Sequence, residues 1–222
     1  NTMKKLLLSL MALGVCSPAF AGSKVKEFYT MNSMGCMILR ECTEDVRRIN
    51  SISDIESYYP DSDFSVVADE FNSMLLSLNK IGVMVFLGHE KYFPPGHRGV
   101  YHTVTNNFYL NDAFMKRPDV LMTVMRHEGW HAAHDCMAGT IDNSMIAISK
   151  PEEHVPKLWR EIVEKTYPKS AVPWEAEAKW AGKTEGMTAK ALDVCAAGPM
   201  WNIYPPTPLT KKWLSDNGYI KD

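Results

Sequence analysis

His127-Glu128-Gly129-Trp130-His131 is the stretch from which the rest of this 222-residue chain is read. It falls in a segment that predicts one helix over 118–137. Pro118 stands at a helix start, where its missing N–H costs nothing, and Gly139 follows the end. Residues four apart share a helix face, so the imidazoles of His127 and His131 can reach one metal ion. Glu128, beside the first histidine, is placed to take a proton from a water activated at that metal. The pattern is short enough to arise by chance, so the surrounding sequence has to support it.

Upstream, Val67, Phe71, Met74, Leu75 and Leu78 recur at helical spacing and predict a helix over 66–79. Residues 82–87 read as a buried strand, and 88–99, with Pro94-Pro95-Gly96, as a loop. Two short strands, 100–103 and 108–110, are joined by a turn at Thr105-Asn106-Asn107. Thr43, followed by Glu44 and Asp45, reads as the N-cap of a helix reaching Ser57. Downstream, helices are expected over 152–167, 173–182 and 188–197, with Thr210 capping a last short one. No internal repeat interrupts this order.

Lys4-Lys5, the apolar run over 6–15 and the small-x-small site Ala19-Phe20-Ala21 predict an export signal over 1–21, with Asn1-Thr2 as a leader remnant. Leu13-Gly14-Val15-Cys16 resembles a lipidation box, but the bulky Val15 fits that poorly. The mature chain, 22–222, is then roughly two hundred residues, enough for a single domain with a sizeable core. Without Lys4 and Lys5 the formal charge moves from −2 to −4. No basic block remains, which argues against a nucleic-acid partner. The longest other apolar run, 83–87, is far too short for a membrane span. The expected location is exported, periplasmic or secreted. Outside the signal stand four cysteines, Cys36, Cys42, Cys136 and Cys195, with no CxxC among them. An even number in an exported chain predicts two disulfides. Of three possible pairings, Cys36–Cys42 with Cys136–Cys195 is favoured, because the second ties the end of the motif helix to a later helix.

A short strand over 107–110, a loop and then an HExxH helix resembles the zincin-like metallopeptidases, across roughly residues 66–182. The resemblance implies an α+β fold, mostly helical, with a small sheet. In such a fold the strand before the motif helix is the sheet edge, and an extended peptide or protein substrate pairs with it. It also implies Zn2+ as cofactor, with three protein ligands and one open position. Residues 36–57 and the C-terminal tail lie outside the likeness.

The third ligand separates two kinds of zincin. Metzincins continue as HExxHxxGxxH, whereas here the glycine position holds His134 and the last histidine position holds Met137. Gluzincins take a glutamate from a later helix, and Trp174-Glu175-Ala176-Glu177-Ala178 resembles that segment. Carried over, the ligand is Glu175, with Glu177 as second choice. Ala178 and Gly182 keep the face beside Glu175 small and permit close packing. Glu177, about 200° around the helix, points toward Trp174 and Trp180. Where gluzincins often carry Asp or Asn to hold a ligand histidine, this chain has Lys179, so that support must come from elsewhere. His134 and Asp135 read as helix-end groups, and His89, His97 and His102 as surface histidines. The resemblance thus implies a zinc peptidase with Glu128 as general base. The alternative is a non-catalytic binding or structural protein on the same scaffold.

Overall fold

The computed structural model describes residues 31–143 and 145–221; the expected signal over 1–21 and the mature start at Gly22 lie outside them. Four strands form a mixed sheet: β1 (Val46–Arg48), β2 (Met84–Gly88), β3 (Gly99–His102) and β4 (Asn107–Asn111), in the order β1-β2-β4-β3. β2 and β4 are parallel, with Phe86 opposite Tyr109, while β1 and β3 each run antiparallel to their neighbour. Period-two alternation gives this sheet two buried faces. Val85, Leu87, Tyr101, Phe108 and Leu110 enter the main core. Phe86, Val100 and Tyr109 enter a second cluster with Met34, Met37 and Ile38 of α1 (Met31–Ile38).

On the main-core side lie α2 (Ile52–Tyr58), α3 (Ala68–Lys80), α4 (Pro118–Met137) and α7 (Met187–Ala197). α5 (Lys157–Glu164) and α6 (Val172–Gly182) enclose a third, small cluster, and α8 (Pro208–Asp216) is the last helix among the described residues. The fold is therefore α+β, mainly helical, with a small mixed sheet. α4 keeps its expected bounds and is buried nearly all round, which explains why its sequence carries no one-sided apolar stripe.

Four expectations need correction. Thr43 does not cap a helix: residues 46–48 pair with β2 as an edge strand, with Arg47 and Arg48 exposed, a charged edge that resists further pairing. The helix starts instead at Ile52, where the Asp54 carboxylate accepts from the backbone N–H of Asn50 at 2.7 Å and Ser51 at 3.2 Å. The expected helix over 152–167 loses its first turns, because Pro156 cannot lie within it; α5 begins at Lys157. The last helix is capped by Thr207, whose hydroxyl accepts from Thr210 N–H at 3.3 Å, while Thr210 is buried.

The fourth correction concerns the sheet edge. The strand before the motif helix, β4, is internal, flanked by β2 and β3. The edge near α4 is β3, because the hairpin after Gly99 folds β4 inward to pair in parallel with β2.

Both favoured disulfides form. Cys36–Cys42 staples the end of α1, and Cys136–Cys195 joins the last turn of α4 to α7. Such bonds fit an oxidising compartment. Alkylation of unfolded, unreduced protein followed by mass spectrometry is expected to leave all four cysteines unmodified; four alkylated thiols would contradict the pairing. Among the described residues no helix is long and apolar enough to cross a membrane.

Candidate metal centre

α4 presents His127 and His131 on one face, ring centroids 5.0 Å apart and edge to face. α6 crosses that face closely because Gly182 has no side chain: a Cβ there would stand 3.1 Å from Thr123 O and 3.4 Å from His127 Cβ. The close approach brings Glu175 between the histidines. Its Oε2 is 3.1 Å from His127 Nε2 and its Oε1 is 3.4 Å from His131 Nε2. One ligand atom from each residue lies within 4.8 Å of the others. Zinc bonds of about 2.0–2.2 Å at tetrahedral angles place ligand atoms roughly 3.3 Å apart, a spacing that the two separations from Glu175 to the histidines match. His131 Nε2 is buried with no hydrogen-bond partner, as a nitrogen reserved for a metal would be.

Electrostatics agree with that fit. Burial lowers the His127 pKa against the opposing pull of Glu175, which keeps a lone pair available near neutrality. Burial alone would raise Glu175, but His131 and His127 together outweigh it and hold its carboxyl well below the usual range. Arg126, next to His127, forks onto Glu70 of α3 at 2.8 and 2.6 Å, and Glu70 also accepts from Gly186 N–H ahead of α7. That network fastens three helices around the centre.

Glu128 lies on the neighbouring face, toward β3. Its Oε2 accepts from Tyr101 N–H at 3.1 Å. Burial, reinforced by repulsion from Glu175, pushes its pKa well up, and only the Tyr101 bond opposes this. β3 can lie this close because of Gly99, where a Cβ would come within 2.6 Å of a Val124 methyl and 3.3 Å of Glu128 Cγ. Two turns on, the Tyr101 hydroxyl donates to Asp135 Oδ2 at 2.6 Å. One tyrosine therefore clamps the edge strand to the motif helix at two points. His127, Glu128, His131 and Glu175 are each at most 3% exposed, so a peptide reaches Glu128 only if neighbouring segments move.

Two residues read from sequence as helix-end groups are part of this interior. His134 and Asp135 are fully buried. His134 Nδ1 is 3.4 Å from His131 Nδ1, and its Nε2 is hydrogen-bonded to Glu177 Oε2. Glu177 therefore does not turn away from α4; it also accepts from Ser149 N–H at 3.3 Å and, more distantly, from Trp130 Nε1. The structure assigns the direct approach to Glu175 and places the second-choice acid one layer behind. The spacing His127, His131, His134 was the available signal, since a seven-residue separation returns to the same helix face. Of the remaining histidines, His102 is also nearly buried, bonded to Thr105 Oγ1 at 2.9 Å, while His89 Nδ1 accepts from Lys91 N–H.

Burial, partly offset by the Tyr101 bond, pushes Asp135 up to about 8. Between its ordinary value of 3.8 and about 8 the folded chain keeps a proton that the unfolded chain has released. The stability this group contributes is therefore full below the ordinary value and is lost as pH rises through about 8. Asparagine keeps an acceptor for Tyr101 and carries no charge. Asp135→Asn is thus expected to gain on the wild type in urea unfolding on going from about pH 5 to pH 8, by roughly 4 kcal/mol, about three pH units at ~1.4 kcal/mol each. An unchanged difference across that range would mean Asp135 is ionised in the fold.

The chain matches no family model, no curated protein and no solved structure with which it was compared.

Proposed function

We propose that this protein is an exported zinc-dependent peptidase. The observation that carries the reading is the convergence of His127, His131 and Glu175 within ligand distance, with Glu128 next in sequence to the first histidine. Bound there, zinc supplies Lewis-acid chemistry, polarising a carbonyl and making water a nucleophile near neutral pH. His127, His131 and Glu175 hold the ion. Glu128 takes the proton from water and passes it to the leaving amine, the work of a general base and then acid. Tyr101 N–H holds the Glu128 carboxylate in place. The sheet edge nearest the centre is β3 rather than β4, and with its Tyr101 N–H held by Glu128 an extended peptide or protein substrate pairs there only after that edge is freed. A zincin-type ancestry accords with the α+β architecture and the helix-borne HExxH. Two disulfides accord with export to the periplasm or beyond the cell.

A second reading draws on the burial of the centre and on the engagement of Glu128 by Tyr101: a non-catalytic binding protein whose core is pinned by a metal. Metal analysis of purified protein, with and without His127→Ala, combined with peptide hydrolysis before and after chelation, separates the two. About one zinc per wild-type chain, its loss in the variant and chelator-sensitive cleavage support the peptidase. Zinc without cleavage supports the second reading. Protein that neither carries nor takes up zinc ends both, and iron in its place would redirect the two-histidine, one-carboxylate set to oxidative chemistry.

A further inference from the structure

The second buried acid gives the metal centre a property that the ligands alone do not. The geometry points to Glu177 and His134 as a positioning pair that holds a proton of His131 on Nδ1, so that Nε2 is the nitrogen aimed at the metal. This inference rests on the proposed metal centre and adds residues to it.

The argument is a count of donors and acceptors. Glu177 Oε2 receives Ser149 N–H and Trp130 Nε1–H, so it acts as an acceptor, and His134 Nε2 must donate to it. A neutral imidazole has one N–H, so His134 Nδ1 is then a lone pair. That lone pair faces His131 Nδ1 at 3.4 Å. Two facing ring nitrogens share one proton, so it belongs to His131 Nδ1. The remaining nitrogen of His131, Nε2, faces Glu175 Oε1 and is the one whose lone pair a metal would take. The proton positions from Glu177 to His131 Nδ1 follow from the acceptor at that end of the row. His134 and Glu177 are both fully buried, so water does not compete for these bonds. The pair takes the role that Lys179 cannot, that of an acceptor holding a ligand histidine by its outer nitrogen. His127 has no such arrangement: its Nδ1 is buried without a partner. The control is therefore one-sided, exerted on His131.

Two measurements test this. NMR of the histidine ring nitrogens in labelled, metal-free wild type is expected to find His131 protonated on Nδ1. Chelator-competition titration with zinc is expected to show about 10- to 100-fold weaker binding in Glu177→Ala and His134→Phe, the range typical for loss of an outer partner. Glu177→Gln, whose amide oxygen can still accept from His134, is expected to recover most of the affinity. A wild-type His131 bare on Nδ1 overturns the inference, and so does wild-type zinc affinity in folded His134→Phe. The tautomer measurement needs no variant, so a misfolded substitution leaves the inference open to refutation. Wild-type protein that binds no zinc refutes the metal centre itself, whereas tight zinc in wild type and variants alike refutes the positioning pair alone.

Discussion

Glu128→Gln is expected to keep zinc bound and to lose peptide hydrolysis by roughly 100- to 10,000-fold, the contribution typical of a positioned proton-transfer group. Glu128 is not among the three converging ligands, so the ion should not depend on it. Its Oε2 accepts Tyr101 N–H, and the glutamine amide oxygen can accept the same bond, so the contact between β3 and α4 is expected to persist. What glutamine cannot do is accept and return a proton. Zinc stoichiometry and initial rates, measured on the same preparations, read the two effects separately. Wild-type rates in the variant would place the base elsewhere, and loss of zinc would show that Glu128 supports the ion rather than the proton transfer.

Glu175→Ala is expected to weaken zinc binding by more than the about 10- to 100-fold anticipated for Glu177→Ala. The carboxylate of Glu175 reaches both histidines, at 3.1 and 3.4 Å, whereas Glu177 reaches only His131, and that through His134. Removing Glu175 deletes a donor atom; removing Glu177 leaves all three donors and loosens one of them. Competition titrations on both variants rank the two acids. Tight zinc in Glu175→Ala with loss in Glu177→Ala would exchange their roles. Tight zinc in both would place the third ligand outside α6.

Much of the centre was legible before any coordinates. A four-residue spacing on a helix is local geometry, so His127 and His131 had to share a face once 118–137 was helical, and Pro118 and Gly139 marked that helix at both ends. Small residues at Ala178 and Gly182 announced a close helix crossing, and Gly182 does lie against His127. The cysteine pairing followed from where the helices end.

What sequence misjudged depends on contacts between segments far apart in the chain. Asp135 and His134 look like exposed end residues of an isolated helix; they are buried because α4 runs through the middle of the fold, with β3 against one side and α6 against the other. Helical angles in α6 alone sent Glu177 toward the tryptophans, but a flexible carboxylate turns toward whatever buried donors surround it, and those come from α4 and Ser149. Residues 43–57 carry helix-start chemistry twice, at Thr43 and at Ser51. The unpaired side of β2 selected the later start by taking 46–48 as a strand. The same kind of choice put β3 rather than β4 at the edge. Sequence by itself determined the motif helix, the shared face of its two histidines and the candidate base, because each follows from the periodicity of one continuous segment. Only the tertiary structure decided which acid meets the histidines, which lies behind them and which strand covers the base, because those are settled by how separate segments share one buried space.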